Sequence, residues 1–132
     1  MAMSNLDLIK RAYAAMATRD WDSAGDLLHP EIELRPPAAG IDTAESYRGR
    51  DGLERYVENT DQVWESFASE PRNFIDAGEG VVVVLAHSVG VGRASGVKVD
   101  IDVAHLWRIR DGLIAEMTIY LDPAEAFREA GL

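Results

Sequence analysis

The 132-residue sequence contains no cysteine, and it has no hydrophobic run long enough to span a membrane. The missing thiol excludes disulfides, thiolate nucleophiles and cysteine-based metal sites. The first residues, MAMSNLDLIKR, include no apolar stretch of the length that a signal peptide needs. We therefore expect a soluble, cytoplasmic protein with no membrane partner.

Basic residues are also scarce, with 13 Lys and Arg against 23 Asp and Glu, which gives a formal net charge of -10. Nucleic acids and anionic membranes are bound through basic patches, so we expect neither as a partner. The remaining composition, 47% hydrophobic and 27% charged, is that of an ordinary globular protein. The length fits one domain over residues 1–132, built around a single core.

The N-terminal half shows the spacing of helices. Ser4 and Asp20 each precede a stripe of apolar residues three or four apart, so both predict capped helices. The first stripe consists of Leu6, Ile9, Tyr13 and Met16. The segment EIELRP alternates as a short strand. A third helix is predicted over residues 51–69, with Pro71 ending it.

From Arg72 onward the apolar period changes to two. The segments RNFIDAG, GVVVVLAHSVGVG, GVKVDIDVAHLWRIR and LIAEMTIYL are therefore predicted as strands. Asp111-Gly112 predicts a two-residue hairpin turn, and Asp122-Pro123 predicts the start of a last helix. Helices followed by antiparallel strands indicate an α+β fold. The strands are apolar on both faces, so one face should meet the helices and the other a second subunit.

Four segments carry a resemblance to a known family: RDWDSAGDLLHPEIEL, YRGRDGLERYV, SGVKVDIDVAHLWRIRDGLI and YLDPAEAFREAGL. Together they resemble the nuclear transport factor 2-like superfamily and, within it, the SnoaL-like domains. The resemblance implies a cone-shaped α+β barrel, in which N-terminal helices pack in a strongly curved antiparallel or mixed sheet. It also implies an apolar pocket and a homodimer. The superfamily includes ketosteroid isomerases, SnoaL-type polyketide cyclases, epoxide hydrolases and members without known activity.

The catalytic residues of ketosteroid isomerases are not found at the matching positions. The resemblance places Ala12 at their oxyanion-hole tyrosine, Arg35 at their general-base aspartate and His105 at their oxyanion aspartic acid. We therefore exclude steroid isomerisation. The SnoaL-type cyclases are more similar, because their acid/base aspartate matches Asp122 and their pocket histidine matches His87.

The hairpin register predicts which residues share the pocket face. A two-residue turn at 111–112 pairs His105 with Thr118 in an unbroken ladder, and opposite residues share a face. His87 joins that face if its partner is Ile101, and it lies on the other face if its partner is Asp102. Three further residues are predicted on the face of His105: Trp107, Tyr120 and Asp122.

Asp122, His87 and His105 are the candidate catalytic residues, because a carboxylate and an imidazole beside an enolisable carbon can exchange its proton. Each also has a structural interpretation. Asp122 could cap a helix, and His29 is interpreted as a helix-end residue near the surface. His105 could be a core histidine bonded to a neighbouring hydroxyl such as that of Thr118 or Tyr120. The predicted pocket-lining residues are Tyr13, Trp64, Trp107, Thr118 and Tyr120.

Three functional hypotheses remain. The first is a cofactor-free enzyme of isomerase or cyclase type that performs acid/base chemistry on a hydrophobic carbonyl compound. The second is a module that binds a small hydrophobic molecule without turnover. The third is a dimeric interaction domain with a vestigial pocket. None of them requires a cofactor or a metal, and we expect neither.

Overall fold

Six strands form one mixed sheet, and four helices accompany it, in the computed structural model, which describes residues 3–35 and 47–132. The strand order is β2-β1-β6-β5-β4-β3, and every pairing is antiparallel except that of β1 with β6. The predicted α+β cone with a mixed sheet is confirmed. The elements in chain order are α1 (Asn5–Ala17), α2 (Trp21–Asp26), β1 (Leu28–Arg35), β2 (Tyr47–Arg48), α3 (Gly49–Val63), β3 (Trp64–Gly78), β4 (Val81–Gly92), β5 (Lys98–Arg110), β6 (Leu113–Tyr120) and α4 (Pro123–Glu129).

The first two helices begin at the predicted caps. The Ser4 hydroxyl accepts a hydrogen bond from the Asp7 N–H at 3.1 Å, and the Asp20 carboxylate accepts one from the Ser23 N–H at 3.2 Å. These bonds satisfy backbone donors that the first helical turn leaves without partners. The buried stripe of α1 consists of Leu8, Ile9, Ala12 and Ala15.

The third helix is shorter than predicted, and the prediction of a helix to residue 69 is wrong. The helix α3 ends at Val63, and β3 begins at Trp64 and continues through Pro71. Phe67 lies opposite Gly90 of β4, so pairing with a distant strand overrides the local helical spacing. The proline is tolerated because β3 is an edge strand, whose outer side needs no N–H donor.

His29 lies in β1, so its interpretation as a helix-end residue is wrong. The chain enters the sheet at Leu28, which lies opposite Ile114 of β6. The His29 Nδ1 accepts a hydrogen bond from the Glu31 N–H at 3.0 Å, and its Nε2 lies 3.9 Å from an Asp111 carboxylate oxygen. The ring therefore contacts the backbone of β1 and the turn at residues 111–112.

The β5–β6 hairpin has the predicted turn but a different register. The turn forms at 111–112, and a bulge between Arg108 and Ile109 then shifts the pairing. Beyond this bulge His105 lies opposite Ile119 instead of Thr118. A slip of one residue moves side chains to the other face of a strand, so the predicted face for the later residues of β6 is wrong.

The sheet has two differently covered faces. We call the face against which α1 and α3 pack the inner face, and the face against which α4 packs the outer face. Fully or nearly buried residues on the inner side include Ile9, Ile32, Val82, Val84, Trp107 and Ile114. The outer face packs Val83, Ala104 and Leu106 against Ala126 of α4.

Candidate functional site

A cavity of about 770 Å³ lies between the inner face and the helices α1 and α3. This volume is in the range of small-molecule sites. Exposed charged residues, Lys10, Arg19 and Asp61, stand at its opening, and the Arg19 guanidinium pairs with the Asp61 carboxylate at 2.7 Å. Most of the remaining lining is apolar or aromatic and includes Tyr13, Met16, Tyr56, Phe74, Trp107 and Met117.

Three aromatic side chains of the lining are joined in one hydrogen-bonded chain. The Tyr13 hydroxyl lies 2.5 Å from Nδ1 of His105, and it accepts a hydrogen bond from Nε1 of Trp107 at 3.1 Å. The Tyr13 and His105 rings are nearly parallel at 5.9 Å, and the Trp107 ring meets Tyr13 at 76°. Alternation along β5 puts His105 and Trp107 on the inner face, where Tyr13 reaches them from α1.

Burial keeps both titratable members of this chain uncharged at neutral pH. His105 is 7% exposed, and burial lowers the pKa of its ring to about 4. Burial also raises the pKa of the Tyr13 hydroxyl far above its ordinary value, with the hydrogen bond from Trp107 acting weakly in the opposite direction. The cavity therefore holds a neutral imidazole beside a neutral phenol.

The predicted pocket-lining residues divide into two groups. Tyr13 and Trp107 line the cavity, whereas Trp64, Thr118 and Tyr120 do not. The bulge moves Thr118 and Tyr120 to the outer face, where Tyr120 packs against the buried residues around Ala126 of α4. Trp64 contacts Phe67, which does line the cavity, with ring centroids 5.3 Å apart.

His87 lies on the outer face, because its partner across the sheet is Asp102. Its ring is held between two carboxylates: Nδ1 lies 2.7 Å from Asp102 Oδ1, and Nε2 lies 2.6 Å from Asp100 Oδ1. The hydrogen bond with Asp102 is the main cause that raises the pKa of His87, and the charge of Asp100 adds to it, against desolvation and the charge of Arg72. His87 therefore does not face His105 or the cavity.

The Asp102→Asn variant is expected to bring the pKa of His87 down towards its ordinary value, because it removes the principal charged partner. An NMR pH titration of the three histidines measures this change. Asp51→Asn, which alters an exposed carboxylate on α3, serves as the control and should leave His87 unchanged. An unchanged His87 in Asp102→Asn would contradict the carboxylate-bound ring.

Asp122 caps α4, and the predicted structural role is confirmed. Its Oδ1 accepts a hydrogen bond from the Ala124 N–H at 3.0 Å, and Pro123 occupies the first helical position. The capped helix packs on the outer face. The structure therefore does not bring Asp122 together with His105.

Asp122→Ala is expected to lower the free energy of unfolding by about 1 kcal/mol, and Asp122→Asn by less, because asparagine also caps helices. Neither variant should move the pKa of His105, because Asp122 caps α4, which packs on the outer face, whereas His105 lines the cavity of the inner face. Chemical denaturation and NMR titration measure the two effects. A shift of His105 in Asp122→Asn would show that the carboxylate reaches the cavity.

Sequence reasoning found the members of the chain but missed their connection. The candidate hydroxyl partners of His105 were on the neighbouring strand, whereas the actual partner, Tyr13, is 92 positions away. The placement of Tyr13 on the apolar stripe of α1 was the available signal. Nothing in the sequence indicated that Lys10, Arg19 and Asp61 border the same cavity.

Within residues 3–35 and 47–132, no helix is long and apolar enough to cross a bilayer. The same ranges contain no group of three or more histidine and carboxylate side chains arranged to hold a metal ion.

Among known protein families, the model of the SnoaL-like domain matches residues 9–117 of the chain. No curated protein matches. An NTF2-like protein from Burkholderia thailandensis E264 is 24% identical over 98% of both chains, with a TM-score of 0.81. TerC, co-crystallised with polyporic acid, is 22% identical over 97% of this chain and 98% of its own, with a TM-score of 0.77. A protein with a ketosteroid isomerase-like fold from Catenulispora acidiphila DSM 44928, in complex with trimethylamine, is 16% identical over 96% and 93%, with a TM-score of 0.71. At these identities the structures are similar in fold alone.

Proposed function

The chain belongs to the SnoaL-like domain family, and from this premise we propose that its cavity binds a small, mostly apolar carbonyl compound whose oxygen meets His105. The observation that carries the proposal is the free nitrogen of that ring. Among the described residues, Nδ1 is bonded to Tyr13 and Nε2 has no hydrogen-bond partner. Every buried side-chain nitrogen or oxygen of the described residues has a hydrogen-bond partner. Because Nε2 has none, it is not buried, and it is reachable from the cavity that His105 lines.

The lining supports a ligand with one polar atom and an apolar body. Each Å² of apolar ligand surface that leaves water contributes about 25 cal/mol, which the aromatic and aliphatic walls supply. A ligand oxygen placed among those walls would lose its hydrogen bonds to water, and this loss costs affinity unless a donor replaces them. His105 stands where such an oxygen can be matched, so it would determine the orientation of the ligand.

Binding is the first function that the geometry supports, and acid/base chemistry of isomerase or cyclase type is the second. A neutral donor held against a carbonyl oxygen would stabilise the enolate that forms when the adjacent carbon loses a proton. That proton needs a base. Among the described lining residues the one carboxylate is Asp61, which is paired with Arg19 at the opening. Binding without turnover therefore requires fewer assumptions.

The names of two similar structures are compatible with a small-molecule role, because one was crystallised with polyporic acid and the other with trimethylamine. The homodimer and the cytoplasmic location stay predictions that follow from the resemblance and the composition. Sedimentation equilibrium of the purified chain measures the first of these.

Titration of the protein with methyl naphthyl ketone tests the proposal, with tryptophan fluorescence as the readout because Trp107 and Trp21 line the cavity. Ala14 is an exposed residue of α1 that also lines the cavity, so Ala14→Phe should occupy part of the cavity and weaken binding at least about tenfold. The control is Arg11→Phe, which adds the same ring on α1 outside the lining. Equal affinity in both variants, or no binding by the ketone and its aliphatic analogues, would overturn the proposal.

Turnover is tested with the same ketone in D₂O. Enolisation by the protein would incorporate deuterium into the methyl group faster than buffer does. Incorporation at the buffer rate, with binding intact, would exclude enolisation of this ketone and would support binding without turnover.

A further inference from the structure

We infer that Trp107 and Tyr13 are positioning residues that hold His105 as the tautomer protonated on Nε2. The cavity then presents a hydrogen-bond donor, and its ligand must present an acceptor atom. The part that concerns the ligand rests on the proposed function. The tautomer is a property of the free protein, so its test does not depend on any ligand.

The first step of the chain has a fixed direction. An indole N–H can donate a hydrogen bond but cannot accept one. Trp107 is 3% exposed, and its Nε1 lies 3.1 Å from the Tyr13 hydroxyl oxygen. This bond therefore runs from Trp107 to Tyr13, and it occupies one lone pair of the hydroxyl oxygen.

The second step can be drawn in two ways, and only one of them pairs both the Tyr13 proton and Nδ1 of His105. If Nδ1 of His105 carried a proton, it would donate to Tyr13, and the Tyr13 proton would need another acceptor. Among the described residues the hydroxyl is bonded to His105 and Trp107 alone. Its proton would then remain unpaired in the interior, which is costly. If Tyr13 donates to Nδ1 instead, the Tyr13 proton and Nδ1 are both paired, and Nε2 is the one polar atom of the chain left for the cavity.

The third step follows from the neutral ring. A neutral imidazole carries one proton, and because Nδ1 accepts from Tyr13 that proton lies on Nε2. The direction of the chain is thus Trp107 to Tyr13 to His105, ending in an N–H that faces the cavity. The acceptors that fit are ketone, ester, enolate or phenolate oxygens. Ammonium groups and other donors without a lone pair do not fit this position.

The tautomer is tested by NMR of the full chain labelled with ¹⁵N-histidine. The ¹⁵N shifts and two-bond ¹H–¹⁵N couplings distinguish a protonated ring nitrogen from an unprotonated one. At pH 7 we expect His105 to show one tautomer, with the proton on Nε2. A proton on Nδ1, or a mixture of both forms, would overturn the inference.

The role of Trp107 is tested by Trp107→Phe, which keeps an aromatic ring but removes the donor. The indole N–H then no longer occupies one side of the Tyr13 hydroxyl, so the hydroxyl proton can turn to that side and the oxygen can accept from Nδ1. The second tautomer should therefore become detectable. Trp21→Phe is the matched control, because Trp21 also lines the cavity but is not bonded to Tyr13. An unchanged single tautomer in a folded Trp107→Phe would show that Trp107 is not a positioning residue. If this variant does not fold, the wild-type spectrum decides the tautomer.

The ligand class is tested with a matched pair of compounds. Methyl naphthyl ketone and isopropenylnaphthalene have the same shape, but the second has a methylene group in place of the carbonyl oxygen. We expect the ketone to bind about tenfold more tightly, and naphthylethylammonium not to bind. Equal affinity of the first two would overturn the acceptor requirement. Failure of all three beside a clean Nε2–H tautomer would contradict the proposed function and leave the tautomer assignment intact.

Discussion

Replacing Tyr13 by phenylalanine is expected to lower the free energy of unfolding by about 3 kcal/mol, although only one oxygen atom is removed. The hydroxyl is bonded to two buried groups, Nδ1 of His105 and Nε1 of Trp107, whose residues are 7% and 3% exposed. Both groups lose their partner in the variant, and each unpaired buried polar group costs about 1–3 kcal/mol. The ring would keep its edge-to-face contact with Phe74.

The matched control is Tyr120→Phe. Among the described residues the Tyr120 hydroxyl takes part in no hydrogen bond, and its side chain packs on the outer face. Its loss should change the free energy of unfolding by no more than about 0.5 kcal/mol. Urea denaturation at pH 7 measures both variants. A Tyr13→Phe variant as stable as Tyr120→Phe would show that the three-ring chain does not exist in solution.

Acidification from pH 7.5 to pH 5 is expected to destabilise the wild type by about 2 kcal/mol more than it destabilises His105→Gln. The pKa of His105 falls from 6.5 to about 4 on folding. Between these values the unfolded chain binds a proton that the native chain does not bind. Stability therefore declines as the pH falls from about 6.5, and this loss is complete near pH 4. Glutamine does not titrate, and its carbonyl can still accept from Tyr13.

His87 contributes a pH dependence of opposite sign to the free energy of unfolding. Its pKa is raised on folding, so its contribution to stability is full below 6.5 and is lost as the pH rises through the raised value. It is present in the wild type and in His105→Gln alike, so comparison of the two pH profiles cancels it. The measurement is the free energy of unfolding at several pH values between 7.5 and 5. Parallel profiles would mean that His105 is not buried as a neutral ring.

The sequence predicted those parts of the fold that depend on neighbours along the chain. The caps at Ser4, Asp20 and Asp122 are bonds across two or three residues, so the local sequence is sufficient to indicate them. The end of α3 is different. Its apolar spacing continues to Phe67, and only the pairing of β3 with β4 ends the helix at Val63.

The sequence likewise predicted those parts of the candidate site that depend on spacing within one strand or one helix. Alternation along β5 put His105 and Trp107 on one face, and the helical stripe put Tyr13 inside. The bulge at Arg108 has no signature in the sequence, and it separates His105 from the face of Thr118. The register of β4 against β5 was an open choice between two alternatives, and the structure places His87 opposite Asp102.

The most direct test of the account is to follow the ring nitrogens of ¹⁵N-labelled histidines while methyl naphthyl ketone is added at pH 7. We expect the Nε2–H signal of His105 to shift as the ketone oxygen accepts its hydrogen bond. His29 and His87 lie elsewhere on the sheet, so their signals should not move. Binding that leaves His105 unchanged, or that shifts His87 instead, would contradict the assignment of the cavity and its donor.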